Sequence, residues 1–143
     1  MNNFNIEVRK IAVSEYQALR SSTDWGQIEN DIVEKALERD LYAICVLDGE
    51  KTIGIGRIVG DGAIYFYIQD IIVLPEYQGK GIGKIIMENI ETYLNEKTNN
   101  NSFIGLMAAE GVTDFYLQFG YEKRPDNKPG MYKMINKTGY NKT

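Results

Sequence analysis

Ile71-Ile72-Val73-Leu74-Pro75-Glu76-Tyr77-Gln78-Gly79-Lys80-Gly81-Ile82-Gly83-Lys84 joins a strand pattern to a helix pattern through a turn with three glycines. Residues 71–74 are apolar and mostly β-branched, and Pro75 stops the strand because it has no backbone N–H to donate. Downstream, Ile82, Ile85, Ile86, Ile90, Tyr93 and Leu94 recur at the 3.6-residue period, which predicts a helix running to about Lys97. Between the two, Gly79, Gly81 and Gly83 keep side chains off the backbone. The first amides of a helix have no intrahelical acceptor and carry partial positive charge, so the turn is suited to an anion. Lys80 and Lys84 add full charges beside it. Glycines alone would also fit a tight turn needing positive φ. The strong strand before, the strong helix after and the form Gln-x-x-Gly-x-Gly favour the anion site.

Two common phosphate motifs fit the stretch badly. A dinucleotide fingerprint would need its first glycine where Gln78 stands, and no G-x-x-x-x-G-K-[ST] occurs in the chain. The run closely resembles the pyrophosphate loop of the GNAT superfamily of N-acetyltransferases, whose signature is [Gln/Arg]-x-x-Gly-x-[Gly/Ala] after a strand. The resemblance implies acetyl-CoA as cofactor. It implies that the turn at Gln78, Gly79, Lys80, Gly81, Ile82, Gly83 and Lys84 receives the diphosphate, and that the strand edge at Ile72, Val73 and Leu74 hydrogen-bonds the pantetheine amides.

Outward from the turn the chain alternates strands and helices. Residues 4–13 read as a first strand. Ser14 and Gln17 have the form of a capping box opening a short helix to about Ser21. Residues 24–27 can cap a second helix whose stripe is Ile28, Ile32, Val33, Ala36 and Leu37. Three strands follow at 41–47, 52–59 and 63–74, joined by the turns Asp48-Gly49-Glu50 and Gly60-Asp61-Gly62. Beyond the helix and a polar loop at 98–102, residues 103–108 form another strand. Residues 111–119 form a short helix closed by Gly120. Residues 121–124 and 131–136 would pair as a last hairpin, and 137–143 would be a frayed tail. This order is mixed α/β and matches the GNAT fold throughout, so residues 1–143 are expected to form a single N-acetyltransferase domain. The resemblance implies a central mixed, mostly antiparallel sheet flanked by about four helices. Its parallel pair, 63–74 and 103–108, would splay apart to admit the pantetheine arm.

At 143 residues the chain can bury roughly two thirds of its unfolded surface. Hydrophobic residues make up 43% and charged residues 25%, as in ordinary globular domains. A net charge of −4 argues against a general nucleic-acid or anionic-membrane binder and mildly favours cationic substrates. No apolar run approaches membrane-spanning length and the N-terminus has no apolar leader pattern, so a cytoplasmic protein is expected. The chain has no histidine, which excludes Ser-His-Asp and Cys-His machinery and every His-based metal site; no metal is expected. Its single cysteine, Cys45, lies within an apolar strand and reads as a buried, inert thiol. Direct attack in a ternary complex is therefore expected, not an acyl-enzyme.

Two side chains are candidates for the chemistry. Phe115-Tyr116-Leu117-Gln118-Phe119-Gly120-Tyr121 resembles the family's second signature, Tyr-x-x-x-Gly-[Phe/Tyr], which implies that Tyr116 protonates or hydrogen-bonds the departing sulfur. Asp70 on a regular strand would share an apolar face with Ile64, Phe66, Ile68 and Ile72. A carboxylate there is costly unless paired, wet or at a ligand cavity. It is a candidate base, with a buried structural carboxylate as the rival, and a strand bulge would change its face. Many relatives carry Asn seven residues before the tyrosine; here that position is Ala109.

For the acceptor, Trp25, Tyr65, Tyr67, Met131 and Tyr132 could form an aromatic or apolar wall, with Trp25 as core anchor the alternative. The ending around Glu122-Lys123-Arg124-Pro125 resembles a bacterial branch of arylalkylamine-type and unspecified N-acetyltransferases. That implies a primary amine of a small molecule. A protein N-terminus or lysine, a non-catalytic acyl-CoA-binding module, and an acyltransferase toxin acting on charged tRNA are the alternatives; the last would want a basic face. The resemblance leaves a homodimer open.

Overall fold

A computed structural model describes residues 3–135 and 137. The chain divides into two compact units, Met1–Met107 and Ala108–Thr143. In the first, a five-stranded sheet runs in the order β1 (Asn5–Val8), β2 (Tyr42–Asp48), β3 (Lys51–Gly60), β4 (Tyr65–Val73), β5 (Phe103–Gly105). The first four strands pair antiparallel in sequence order, and β4 pairs with β5 in parallel. Three helices accompany the sheet: α1 (Val13–Arg20), α2 (Asn30–Glu38) and α3 (Ile82–Lys97), with a 3-10 turn at Pro75–Tyr77.

β3 is buried from Ile53 to Ile58 because helices cover it on both sides. A Cβ built on Gly56 would come within 2.8 Å of Ile71 and Ile86, and one on Gly54 within 3.0 Å of Ile82. The alternation Ile-Gly-Ile-Gly therefore lets α3 lie directly against the backbone of one face. On the other face, the Arg57 guanidinium lies 5.9 Å from the centroid of the Tyr16 ring of α1. Ile53, Ile55, Ile58, Ile86, Met87, Ile90 and Leu94 are fully or almost fully excluded from water and form the core with Ile44 and Val46.

Several expected boundaries shift. The first strand is only Asn5–Val8, and α1 begins at Val13, with Ala12 as its cap instead of Ser14. The carboxylate that accepts the Ala12 N–H, at 2.8 Å, belongs to Glu15. Gln17 instead donates to the Ile28 carbonyl at 2.7 Å and Asn30 Oδ1 at 3.0 Å, bracing the loop into α2. α2 starts at Asn30, so Ile28 falls outside it, and Ile32 is exposed while Val33 and Leu37 carry the stripe. Residues 22–26 are held in turns, with the Arg20 side chain donating to the carbonyls of Trp25 and Gly26.

In the second unit, α4 (Thr113–Leu117) carries Phe115 and Tyr116, whose rings meet Phe119 and Tyr121 edge-on at centroid distances of 5.4 and 6.4 Å. Gly120, at φ 92, donates its N–H to the Leu117 carbonyl and closes the helix. The expected hairpin of 121–124 with 131–136 is not formed: among the described residues no strand follows Gly105. Pro125 and Pro129 have no N–H for a ladder, and Met131, Tyr132, Met134 and Ile135 are exposed, so no buried face drives pairing. Asn136 and residues 138–143, which include most of the expected tail, lie outside the described residues. No helix among the described residues is long and apolar enough to cross a membrane.

Candidate active site

The glycine turn is built by the end of β4. The Leu74 N–H donates to the Ile53 carbonyl at 2.9 Å, which keeps the chain on β3 until Pro75 turns it away. Gln78 folds back, its Nε2 donating to the Val73 carbonyl at 3.0 Å. Gly79 and Gly81 then sit at φ 81 and 82, in the left-handed region that glycine enters without strain. A Cβ at either would have no neighbour within 4 Å, so the space above the turn is open. Gly81 caps α3, and Ile85 is the first residue whose amide bonds back, to the Gly81 carbonyl at 3.1 Å. Amides 79–84 donate to no protein acceptor among the described residues.

No acidic residue stands in the first turn of α3, and Lys80 and Lys84 are exposed there. A lysine at a helix N-terminus opposes the helix dipole, and a bound polyanion would reverse that mismatch. Bare amides, open space and two cations fit a diphosphate.

β5 accompanies β4 only over Tyr65–Phe103, Phe66–Ile104 and Tyr67–Gly105. From Ile68 to Val73 that edge of β4 has no partner in β5. Along this stretch β4 also bulges. Opposite the two-residue step from Ile55 to Arg57, β4 advances three residues, from Ile72 to Gln69. Asp70 lies in the extra residue at φ 54, alone among the described non-glycine residues in having positive φ. The bulge also corrects the expected face. Ile72 pairs with Ile55 and Ile68 with Ile58, and positions 55 and 58 look to opposite sides of a regular strand. Asp70 therefore lies with Arg57 and Tyr16 on the α1 side, away from Ile68 and Phe66.

There its carboxylate is paired. Arg57 Nη1 donates to Asp70 Oδ2 at 2.9 Å, and the Tyr16 hydroxyl donates to the same oxygen at 2.8 Å. Arg57 is itself held by Asp40, through Nη2 to Oδ1 at 2.7 Å and Nε to Oδ1 at 2.9 Å. Arg20 Nη1 donates to the Tyr16 oxygen at 2.9 Å. Burial raises the Asp40 carboxyl above its usual range against the pull of Arg57. Burial opposes the charge on Arg57 as well, but its two carboxylates outweigh it and keep the guanidinium protonated. Burial likewise raises the Tyr16 phenol, helped by the Asp70 charge, so Tyr16 acts as a donor. Tyr16, Asp40 and Arg57 were not singled out from sequence. Their signal was a lone arginine amid the buried run at 53–58, which must find an anion.

Tyr116, in the second unit, is half-buried, and burial raises its phenol above the ordinary value. Cys45 is fully buried with its thiol pushed up to about 12, mainly by desolvation, so little thiolate forms near neutral pH. Trp25 is exposed and lies against Arg20, so it does not anchor the core. Tyr65, Met131 and Tyr132 are exposed, and Tyr67 is half-buried. No cluster of three or more acidic or cysteine ligands for a metal occurs among the described residues.

A family model for the acetyltransferase (GNAT) domain matches residues 12–142. The GCN5-related N-acetyltransferase 2, chloroplastic, of Arabidopsis thaliana is 33% identical over 117 residues, which is 82% of this chain and 40% of that protein. The chain thus spans well under two thirds of that relative. The serotonin N-acetyltransferase 2, chloroplastic, of Oryza sativa is 33% identical over 81 residues, 57% of this chain and 40% of that one. Among solved structures, a meticillin-resistant Staphylococcus aureus protein described as a probable acetyltransferase superposes with a TM-score of 0.87 at 29% identity. The match covers 93% of this chain and all of that one.

Proposed function

The chain belongs to the GNAT family of acetyltransferases, and on that footing we propose that residues 1–143 act as one N-acetyltransferase domain, moving an acetyl group from acetyl-CoA to a primary amine of a small molecule by direct attack in a ternary complex. Acetyl-CoA, when bound, supplies the acetyl group activated as a thioester. The amides at 79–84 with Lys80 and Lys84 would hold its diphosphate, and Ile72, Val73 and Leu74, at the end of β4 left by β5, would take the pantetheine amides. Tyr116 stays protonated at neutral pH because burial disfavours the phenolate, so it donates to the departing sulfur. Asp70 Oδ2 already accepts from Arg57 and Tyr16, and we assign removal of the amine proton to water. Cys45 accepts no acyl group, since its thiol is buried and stays protonated.

The observation that carries this proposal is the row of unpaired amides at the start of α3 beside the opened edge of β4. The serotonin N-acetyltransferase among the relatives supports a small amine as acceptor. The cytoplasm is the compartment we propose, and fractionation of the native host would test it, since two relatives carry a chloroplast label. A thiol-release screen of acetyl-CoA against amines, aminoglycosides and peptides tests the activity. Release with small primary amines and intersecting double-reciprocal lines are expected. Parallel lines would replace direct attack with an acyl-enzyme, release with peptides alone would make the acceptor a protein, and acetyl-CoA binding without release would make the chain a binding module.

A further inference from the structure

We infer that Arg57 is a positioning residue: anchored by Asp40, it clamps Asp70 in its left-handed conformation and so fixes the bulge that opens the edge of β4. The inference rests on the proposed acetyl-CoA site for its effect on activity, but not for the clamp itself.

Three features of the structure meet at this point. First, Arg57 and Asp70 are the buried charged residues of the described chain, 8% and 6% exposed. Asp40, the other carboxylate, has a side chain only 1% exposed. A buried ion group of this kind often contributes no net stability against an apolar replacement, so its presence calls for another role. Second, the residue it holds has positive φ, which costs a side-chain-bearing residue unless its surroundings fix it. Two donors on one carboxylate oxygen, from β3 and from α1, leave the Asp70 side chain little freedom to carry its backbone elsewhere. Third, Arg57 stands where the β3–β4 register slips, opposite Gln69. Two residues before that point, β4 loses β5.

The arginine fork is needed for this geometry. Arg57 presents Nε and Nη2 to Asp40 while Nη1 reaches Asp70. An ammonium on a flexible stem cannot bridge two separated carboxylates in this way. Loss of the bridge would let Asp70 relax toward extended backbone and let the register close, moving the edge at residues 71–73. A displacement of about 1 Å at such an edge is enough to cost a large factor in turnover.

Arg57→Lys keeps a cation between the carboxylates and is the decisive variant. Well below its Tm, its KM for acetyl-CoA is expected to rise about tenfold, with a smaller change in KM for the amine, and calorimetry is expected to show a matching loss of acetyl-CoA affinity. Its crystal structure is expected to show Asp70 out of the left-handed region. A lowered Tm with unchanged KM and affinity, or Asp70 still at positive φ with the register slip intact, would overturn the clamp. Should Arg57→Lys not fold, Asp40→Asn loosens the same anchor, keeping one acceptor oxygen for the guanidinium and losing the second; a severalfold rise in KM is expected, and an unchanged KM overturns the proposal. If the wild-type protein releases no thiol, the function fails while calorimetry still reads the clamp. If it binds no acetyl-CoA at all, the variant crystal structures decide.

Discussion

Tyr116 enters the proposed reaction as a donor because burial keeps its phenol protonated well into alkaline pH. Tyr116→Phe removes one oxygen and leaves the ring contacts with Phe115 and Tyr121. It should lower kcat by about 10- to 100-fold with little change in KM for acetyl-CoA, as steady-state kinetics would show. An unchanged kcat would remove Tyr116 from the chemistry. At Asp70 the outcome separates two roles. Asp70→Asn keeps a carbonyl oxygen for Arg57 and Tyr16 and tolerates positive φ, so kcat should fall less than about tenfold, with the acid limb of the pH profile in place. A fall beyond about 100-fold with loss of that limb would make Asp70 the base. Sequence placed Asp70 at a costly position but not on its correct face. One extra residue in β4 redirects the strand, and neither composition nor alternation signals it. Its partners Tyr16 and Arg57, and Asp40 behind Arg57, lie 54, 13 and 30 positions away, so their convergence is a property of topology and not of spacing.

At the scale of the element, α3 was the most legible part of the chain, its end at Lys97 following from a long apolar period. Its cap matters more for binding than for folding. Gly81→Ala meets open space but must hold φ near 82, a strain of about 1 kcal/mol. That should lower Tm by only a few degrees. Acetyl-CoA affinity by calorimetry should fall about tenfold, because the methyl stands over amides meant for the ligand; unchanged affinity would contradict the role of the turn. The cap of α1 lies two residues before the one that Ser14's side-chain chemistry predicts. Glu15 prevails because it serves three partners: Arg9 after β1, the Ala12 N–H and the Thr52 hydroxyl of β3.

The Arg9 hydrogen bond chiefly holds the Glu15 carboxyl down to about 2, against burial and with help from Thr52 and Ala12. A folded-state value below the unfolded one gives stability that is complete above the unfolded range near 4.5 and lost as pH falls toward about 2. Glu15→Gln should therefore lower Tm by a few degrees at neutral pH, the effect of a partly exposed pair of about 1 kcal/mol. The gap should close between about pH 4.5 and 2 in thermal melts. A gap independent of pH would show that the carboxylate charge is not what ties these elements together.

Across the whole molecule, the strand and helix order of the first unit followed from periodicity and turn residues, whereas the mixed sheet with one parallel pair followed from the family resemblance. The length of β5 did not: its pairing ends at Tyr67–Gly105, two residues before the β4 register slip and short of the end of its own apolar run. The expected last hairpin failed for a related reason: β-branched and apolar residues at 131–135 give strand propensity, but strand formation needs a partner and a buried face. A net charge of −4 coexists with a local cationic site, since Lys80 and Lys84 stand at one helix end. The central claim is that bare main-chain donors at that end hold the diphosphate of coenzyme A. A crystal structure of the protein soaked at saturating acetyl-CoA tests it most directly. The diphosphate oxygens are expected within hydrogen-bond distance of amides among residues 79–84; a diphosphate seated elsewhere, or no coenzyme bound at all, would contradict it.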